Sequence, residues 1–214
     1  MVKKSSSAQL LKILKSVNSI FTNDHFVYTT GLHGSVYINK DSLYPHPQET
    51  SEVCRILAEK CAQLDIQTVV APALAGIIVS QWLSFHLSKL KGQEINGVYV
   101  EKDPEKTFVF NRGYDKYVAG KKVLVVEDIA CTGSSVKKVV DVVREYGGLV
   151  QAVGIMVNRN PKLVNDHLFG APLIVGTELL ADAWPAKGCH LCQAKVPINT
   201  KMGHGKKFLQ SQTK

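Results

Sequence analysis

The chain has 214 residues, 45% hydrophobic and 21% charged, with a formal net charge of +8. These values exclude a disordered or fibrous polymer and fit one well-filled core, or a core with a small appendage. The longest apolar run, 69–79, is interrupted by Pro72 and Gly76 and falls short of the ~20 residues that span a bilayer. No signal peptide or lipidation motif is read, and an odd number of cysteines, five, suits a reducing cytoplasm. The positive charge is terminal: residues 1–20 hold four lysines and no acid, residues 183–214 hold six and no acid, and the rest sum to −2. With only Trp184 and Phe208 near the C-terminal lysines, solvated ends are expected rather than a nucleic-acid-binding face.

In chain order, Ser5 to Ser7 can cap a helix running to about Asn18, with Leu10, Leu14, Val17 and Phe21 on one stripe. Two short strands, 25–29 and 35–39, turn through Gly31 and Gly34 as a small hood. Residues 47–64 read as a helix with Val53, Ile56, Leu57, Cys61 and Leu64 inward, and Cys54 and Cys61 read as core. A buried strand over 68–71 ends in the tight loop Pro72-Ala73-Leu74-Ala75-Gly76, which opens a helix to about Leu90. After a strand at 98–100, residues 101–120 turn charged. A connection of this length suits a lid or binding loop, and its Lys102, Lys106, Arg112 and Lys116 would bring positive charge to a polyanion.

Residues 123–135 organise the chain. Val123 to Val126 is the unbroken apolar run of a strand buried on both faces, closed by Glu127 and Asp128. Ala130, Cys131, Thr132, Gly133, Ser134 and Ser135 form a loop of small residues. Val136, Val139, Val140 and Val143 then mark one face of a helix. Unpaired loop N–H groups and the positive end of a helix make an anion site, and two carboxylates at the strand end suit vicinal ribose hydroxyls. No G-x-G-x-x-G and no Gly-Lys-Ser/Thr follows the strand, so dinucleotide and P-loop readings are weaker. A strand over 149–157 ends at Asn158-Arg159-Asn160, and a last strand covers 172–175. This order predicts an α/β protein with a central parallel sheet flanked by helices. Residues 71–76, 101–102, 127–135 and 158–159 should surround one cleft at the strands' carboxyl ends.

The stretch from Val123 to Ser135 resembles the signature of type I phosphoribosyltransferases. Over about residues 10–180 the resemblance sharpens to the orotate phosphoribosyltransferase family. Thr30-Gly31 and Ser35-Val36-Tyr37-Ile38-Asn39 are similar to its base-covering hood, Ala73-Leu74-Ala75 stands at its pyrophosphate loop, and Asn158-Arg159 stands where the family has Asp-Arg. The resemblance implies transfer of phosphoribosyl from 5-phosphoribosyl 1-pyrophosphate (PRPP) to orotate with Mg²⁺, in a homodimer whose lid serves the neighbouring subunit. It implies catalytic roles for Lys102, Lys106, Arg112 and Asp128. Ribose would be held by Glu127 and Asp128, and the 5-phosphate by Thr132 to Ser135 with Ala130 and Cys131. Pyrophosphate would lie at Ala73 to Ala75, and the base at Tyr37, Ile38 and Arg159. The expected layout is a catalytic unit over 1–183, with a hood at about 20–45 and a mobile lid at about 102–119, then a basic extension over 184–214.

Thr29, Leu74 and Ala75 depart from the family's lysine and Tyr-Lys, and the lid lacks its histidine. Arg112, Lys116, Lys40 and His33 are the candidate substitutes. In the extension, Cys189, His190 and Cys192 with His204 form a candidate zinc set, short of the two clear ligand pairs of a structural site. The rival readings are a phosphoribosyltransferase for another base, and a PRPP-sensing regulator without turnover that binds RNA through its basic ends.

Overall fold

The computed structural model describes residues 2–105 and 107–212. Its centre is a six-stranded sheet of β3 (Thr68–Pro72), β4 (Asn96–Lys102), β5 (Phe108–Val109), β6 (Lys122–Ala130), β7 (Leu149–Asn158) and β8 (Leu173–Glu178). The spatial order is β5-β4-β3-β6-β7-β8. All neighbours are parallel except β5, which turns back antiparallel on β4. The strand order reverses between β3 and β6, the switch point beside which a doubly wound sheet opens a crevice.

Local sequence explains the central strand. Val123, Leu124, Val125 and Val126 are all fully buried, and each such side chain contributes roughly 1.5–3 kcal/mol of burial. Helices α2 (Pro47–Cys61), α3 (Ala75–Lys91) and α4 (Ser134–Glu145) cover the sheet, while α1 (Val2–Ser16) packs Leu10 and Leu14 with Ile38, Leu43, Val53 and Ile56. The valine stripe expected on α4 is buried. Cys54 and Cys61 lie in the core as expected, where burial pushes both thiols to about 12. Among the described residues no helix is long and apolar enough to cross a membrane.

Two expectations need correction. The hood strands are β1 (Ile20–Val27) and β2 (His33–Ile38), displaced toward the N-terminus from the expected 25–29 and 35–39. Their antiparallel register breaks between Thr22 and Phe26, and Asn23 takes φ 60° there. Such a bulge, with Asn tolerating the left-handed region, lets β1 run through Asn23-Asp24, which read as a break in the sequence. The lid over 102–119 is drawn too wide. Phe108, Phe110 and Val118 are buried in the main core, and Tyr114–Tyr117 is a 3-10 turn packed against it. Residues 104–105 turn between β4 and β5, Arg112 and Gly113 form a second exposed turn, and Lys106 lies outside the described residues.

The C-terminal segment docks on the hood. Its backbone pairs with both hood strands, through His33–Trp184 and His25–Ile198 bridges. Short helices α5 (Asp166–Phe169) and α6 (His190–Gln193) and the terminal α7 (Gly205–Gln212) complete the described chain.

Candidate active site

A cleft of about 430 Å³ opens at the carboxyl ends of β3 and β6, lined by Lys40, Lys102, Glu127, Asp128, Ser135 and the loop 72–76. Parallel pairing of β3 with β4 and β6 brings these loops together, and Ala73 N–H donates to Val100 O at 2.8 Å to hold the first of them. Lys102 lines the wall with its ammonium 5.4 Å from the Phe108 ring centroid. Leu74 is 83% exposed, an apolar side chain at a polar cleft.

Asp128 is the most constrained group here, 3% exposed. Tyr44 Oη donates to its Oδ2 at 2.6 Å, the Ile129 N–H donates to its Oδ1 at 2.6 Å, and Lys40 Nζ stands 3.8 Å from Oδ2. Burial, then the charge and hydrogen bond of Asp128, raise the Tyr44 hydroxyl far above its ordinary value, so it remains a donor. Burial alone would lower the Lys40 ammonium, but Asp128, Asp41 and Glu127 outweigh it and hold it above its usual value. Glu127 is pushed well above the carboxylate range, by burial first and by neighbouring Asp128 second. The adjacent carboxyl groups of Glu127 and Asp128 and the ammonium groups of Lys40 and Lys102 line one cleft, a set that suits a ligand carrying both hydroxyl and anionic groups.

The loop after β6 is shaped for close backbone approach. Gly133 takes φ 71° as the residue before α4. A Cβ there would lie 2.5 Å from Leu168 Cδ2, the tip of a side chain that can turn away, so it is the left-handed backbone that calls for glycine. Thr132 Oγ1 donates to Ser134 Oγ at 3.1 Å and also lies 3.4 Å from the Ser134 N–H. Ala130 is buried, and its carbonyl accepts from Arg159 N–H at 2.9 Å, tying the end of β7 to this loop. Exposed Cys131 lies 3.5 Å from Arg159 Nη1.

Arg159 stands at the rim, its guanidinium over the Tyr28 ring at 4.6 Å from the centroid. Tyr28 is held by its hydroxyl donating to Val36 O at 2.5 Å. Arg159 Nε is buried and lacks a hydrogen-bond partner among the described residues, which costs about 1–3 kcal/mol unless a ligand accepts from it.

Several anticipated residues are elsewhere. Ile38 is buried in the core beneath the hood, leaving only its main chain to reach a ligand. Tyr37 stacks on Phe26 at 5.4 Å and faces the C-terminal segment near Gly203. Arg112 is exposed and pairs with Glu101 at 3.4 Å, and Lys116 lies over Tyr117. His33 is not a phosphate ligand, since it is fully buried beside His25 and Cys192. Of the four substitute cations, the structure brings Lys40 alone into the cleft wall. Sequence reasoning missed Tyr44 and Tyr28. The only sequence signal for either was an aromatic close to a motif, four residues beyond Lys40 and just before Thr29-Thr30-Gly31.

Comparison with known proteins fits this geometry. A family model described as a phosphoribosyl transferase domain matches residues 39–167. The orotate phosphoribosyltransferase of Desulforamulus reducens is 33% identical over 81% of this chain and 85% of its own length. That of Thermotoga maritima is 30% identical over 92% of this chain and 100% of its own. The Mycobacterium tuberculosis orotate phosphoribosyltransferase solved with PRPP superimposes with a TM-score of 0.57 at 20% identity, over 80% of this chain and 90% of that one.

Proposed function

This chain belongs to the phosphoribosyltransferase family, and we propose that it transfers the phosphoribosyl group of PRPP to orotate, giving orotidine 5′-phosphate and pyrophosphate. The observation that carries the choice of base is Arg159, whose buried Nε has no partner. A guanidinium fork pairs with a carboxylate in two parallel hydrogen bonds, and orotate is the nucleobase precursor that carries one.

In this reading Glu127 and Asp128 accept hydrogen bonds from the ribose hydroxyls, with Tyr44 and Lys40 fixing the Asp128 carboxylate. The 132–135 loop and the first turn of α4 hold the 5-phosphate. Loop 73–75 offers main-chain groups to pyrophosphate, and Lys102 and Lys40 supply charge that the departures from the family pattern remove. Carboxylate oxygens suit Mg²⁺ and its water shell, so Glu127 and Asp128 would be the residues to hold such an ion, which would supply positive charge for the pyrophosphate group. Orotate N1 attacks C1′ as the bond to pyrophosphate breaks, and the protein contributes alignment and charge stabilisation.

The same reading includes a homodimer in which the tip before Phe108 closes the partner's site. Its own cleft is lined by Lys102 and Phe108, the residues that flank the tip. Sedimentation equilibrium distinguishes dimer from monomer. A cytoplasmic location accords with five cysteines free of disulfides.

Incubation with PRPP, Mg²⁺ and orotate should consume orotate and yield orotidine 5′-phosphate by mass spectrometry. PRPP binding without turnover of orotate would overturn the assignment and favour a regulator. A pH test follows from Glu127. Its raised pKa makes the free protein lose stability as pH rises from the ordinary carboxylate value through the raised one, because the folded state holds the extra proton. Binding of Mg²⁺–PRPP requires the ionised form. Affinity should therefore increase across that window with net proton release, seen calorimetrically in buffers of differing ionisation enthalpy. Glu127→Gln should abolish that share of the release, and identical proton release in the two proteins would contradict the role.

A further inference from the structure

The hood and the C-terminal segment meet at a cluster that the transferase reading does not use. His25 from β1, His33 from β2, Cys192 from the one-turn helix α6 and Cys189 just before it present ligand atoms that all lie within 4.8 Å of one another. His25, His33 and Cys189 have no solvent exposure. The sulfur–nitrogen separations are 3.6 Å for Cys189–His25, 3.8 Å for Cys192–His25 and 3.4 Å for Cys192–His33. Around a tetrahedral ion with nitrogen at about 2.0–2.1 Å and sulfur at about 2.3 Å, adjacent nitrogen and sulfur ligands stand about 3.6 Å apart. The two ring nitrogens are closer, at 2.8 Å. An ion would part them by about half an ångström to reach tetrahedral spacing.

His25 has the outer support of a ligand, while the outer Nε2 of His33 is buried with no hydrogen-bond partner among the described residues. His25 Nδ1 lies 2.8 Å from Val196 O. A carbonyl only accepts, so Nδ1 carries the proton and the inward Nε2 holds its lone pair, the usual outer support of a metal-bound imidazole. The backbones beside both histidines are fixed by the C-terminal segment. His33 and Trp184 exchange two hydrogen bonds at 2.8 Å, and Asn199 N–H donates to His25 O at 2.8 Å. Cys189 precedes α6 in extended backbone and Cys192 lies within the helix, and both sulfurs face His25 Nε2. The histidines expected from sequence are not in this cluster: His190 is exposed and packs on Trp184, and the four grouped ligand atoms do not include His204.

We propose that His25 Nε2, His33 Nδ1, Cys189 Sγ and Cys192 Sγ bind one structural zinc ion that fastens the hood to the C-terminal segment. Two thiolates and two neutral imidazoles balance the charge of Zn²⁺, so the buried site is neutral overall, as a site without water must be. Binding releases the two thiol protons to solvent and involves no electron transfer. Two sulfur and two nitrogen ligands in a tetrahedral arrangement select zinc over the oxygen-seeking Mg²⁺ of the cleft. All four protein positions are filled, which marks a structural rather than a catalytic ion. The staple sits three residues before Tyr28, the ring beneath Arg159, so it also steadies the hood side of the base site.

The test uses untagged full-length protein produced with zinc, kept reduced and dialysed against metal-free buffer. Plasma mass spectrometry should find about one zinc per chain, and a Cys189→Ser, Cys192→Ser double variant should hold none. Replacing zinc with cobalt(II) should give the strong visible and thiolate charge-transfer absorption of a tetrahedral thiolate site, absent from the variant. If the variant does not fold, the cobalt spectrum of the unaltered chain decides. A reduced chain that retains no zinc after exposure to excess, or a weak octahedral cobalt spectrum, would overturn the proposal. So would a Cys189–Cys192 disulfide in protein produced with zinc.

Discussion

Asp128→Asn is expected to weaken PRPP binding about 100-fold or more, with a matching loss in kcat/KM, while the protein melts within a few degrees of the unaltered chain. The substitution keeps shape and removes charge. Asn can still accept from the Ile129 N–H, and the Tyr44 hydroxyl can rotate to accept from the new amide. Lys40 keeps Asp41 at 3.1 Å as a counter-charge, and Glu127 loses the like charge beside it. The folded protein therefore loses little. The ligand loses two hydrogen bonds to a charged acceptor, each worth about 1.5–3 kcal/mol. Calorimetric titration of PRPP, read beside thermal unfolding, separates these effects. Unchanged affinity would remove the acidic pair from the ribose site and refute every phosphoribosyl reading together.

Arg159→Ala should lower kcat/KM for orotate by about 100- to 1,000-fold, from the loss of ~3–4 kcal/mol of charged, two-point hydrogen bonding. PRPP affinity should stay within about twofold, because Arg159 holds the loop through its main-chain N–H to the Ala130 carbonyl, a bond that alanine keeps. Arg159→Lys should recover only part of the loss, since an ammonium cannot reproduce the planar fork. Equal losses in PRPP affinity and orotate use would show that Arg159 supports the loop rather than reading the base.

The parts of this account that were legible in the sequence are those set by local periodicity. Val123 to Val126, the acidic pair, the small-residue loop and the valine stripe of α4 follow one another without a gap, and each element's pattern dictates its own structure. The cleft was legible for the same reason, as loops at the carboxyl ends of adjacent parallel strands must converge. Features that depend on distant pairing were not. The extent of β1 depends on a bulge at Asn23 and on a C-terminal segment that pairs with the hood. The lid looked continuous because its charged residues hide the spacing of Phe108, Phe110 and Val118, which the core recruits one at a time. The zinc set exposes the limit most clearly. Cys189 and Cys192 announce themselves by spacing, but their histidine partners lie more than 150 positions earlier, and nearby His190 and His204 were the natural wrong choice. Tyr44 likewise reaches Asp128 across 84 positions.

The base assignment is tested most directly by the ratio of kcat/KM for orotate to that for uracil, measured with PRPP and Mg²⁺ on one preparation of the unaltered protein. Uracil is orotate without the carboxylate, so the ratio isolates the group that Arg159 is held to read. A site built around a charged partner rejects the analogue lacking it, because its own buried group is left unpaired. A preference for orotate of at least about 100-fold is expected. Comparable use of both bases, or a preference for uracil, would contradict it.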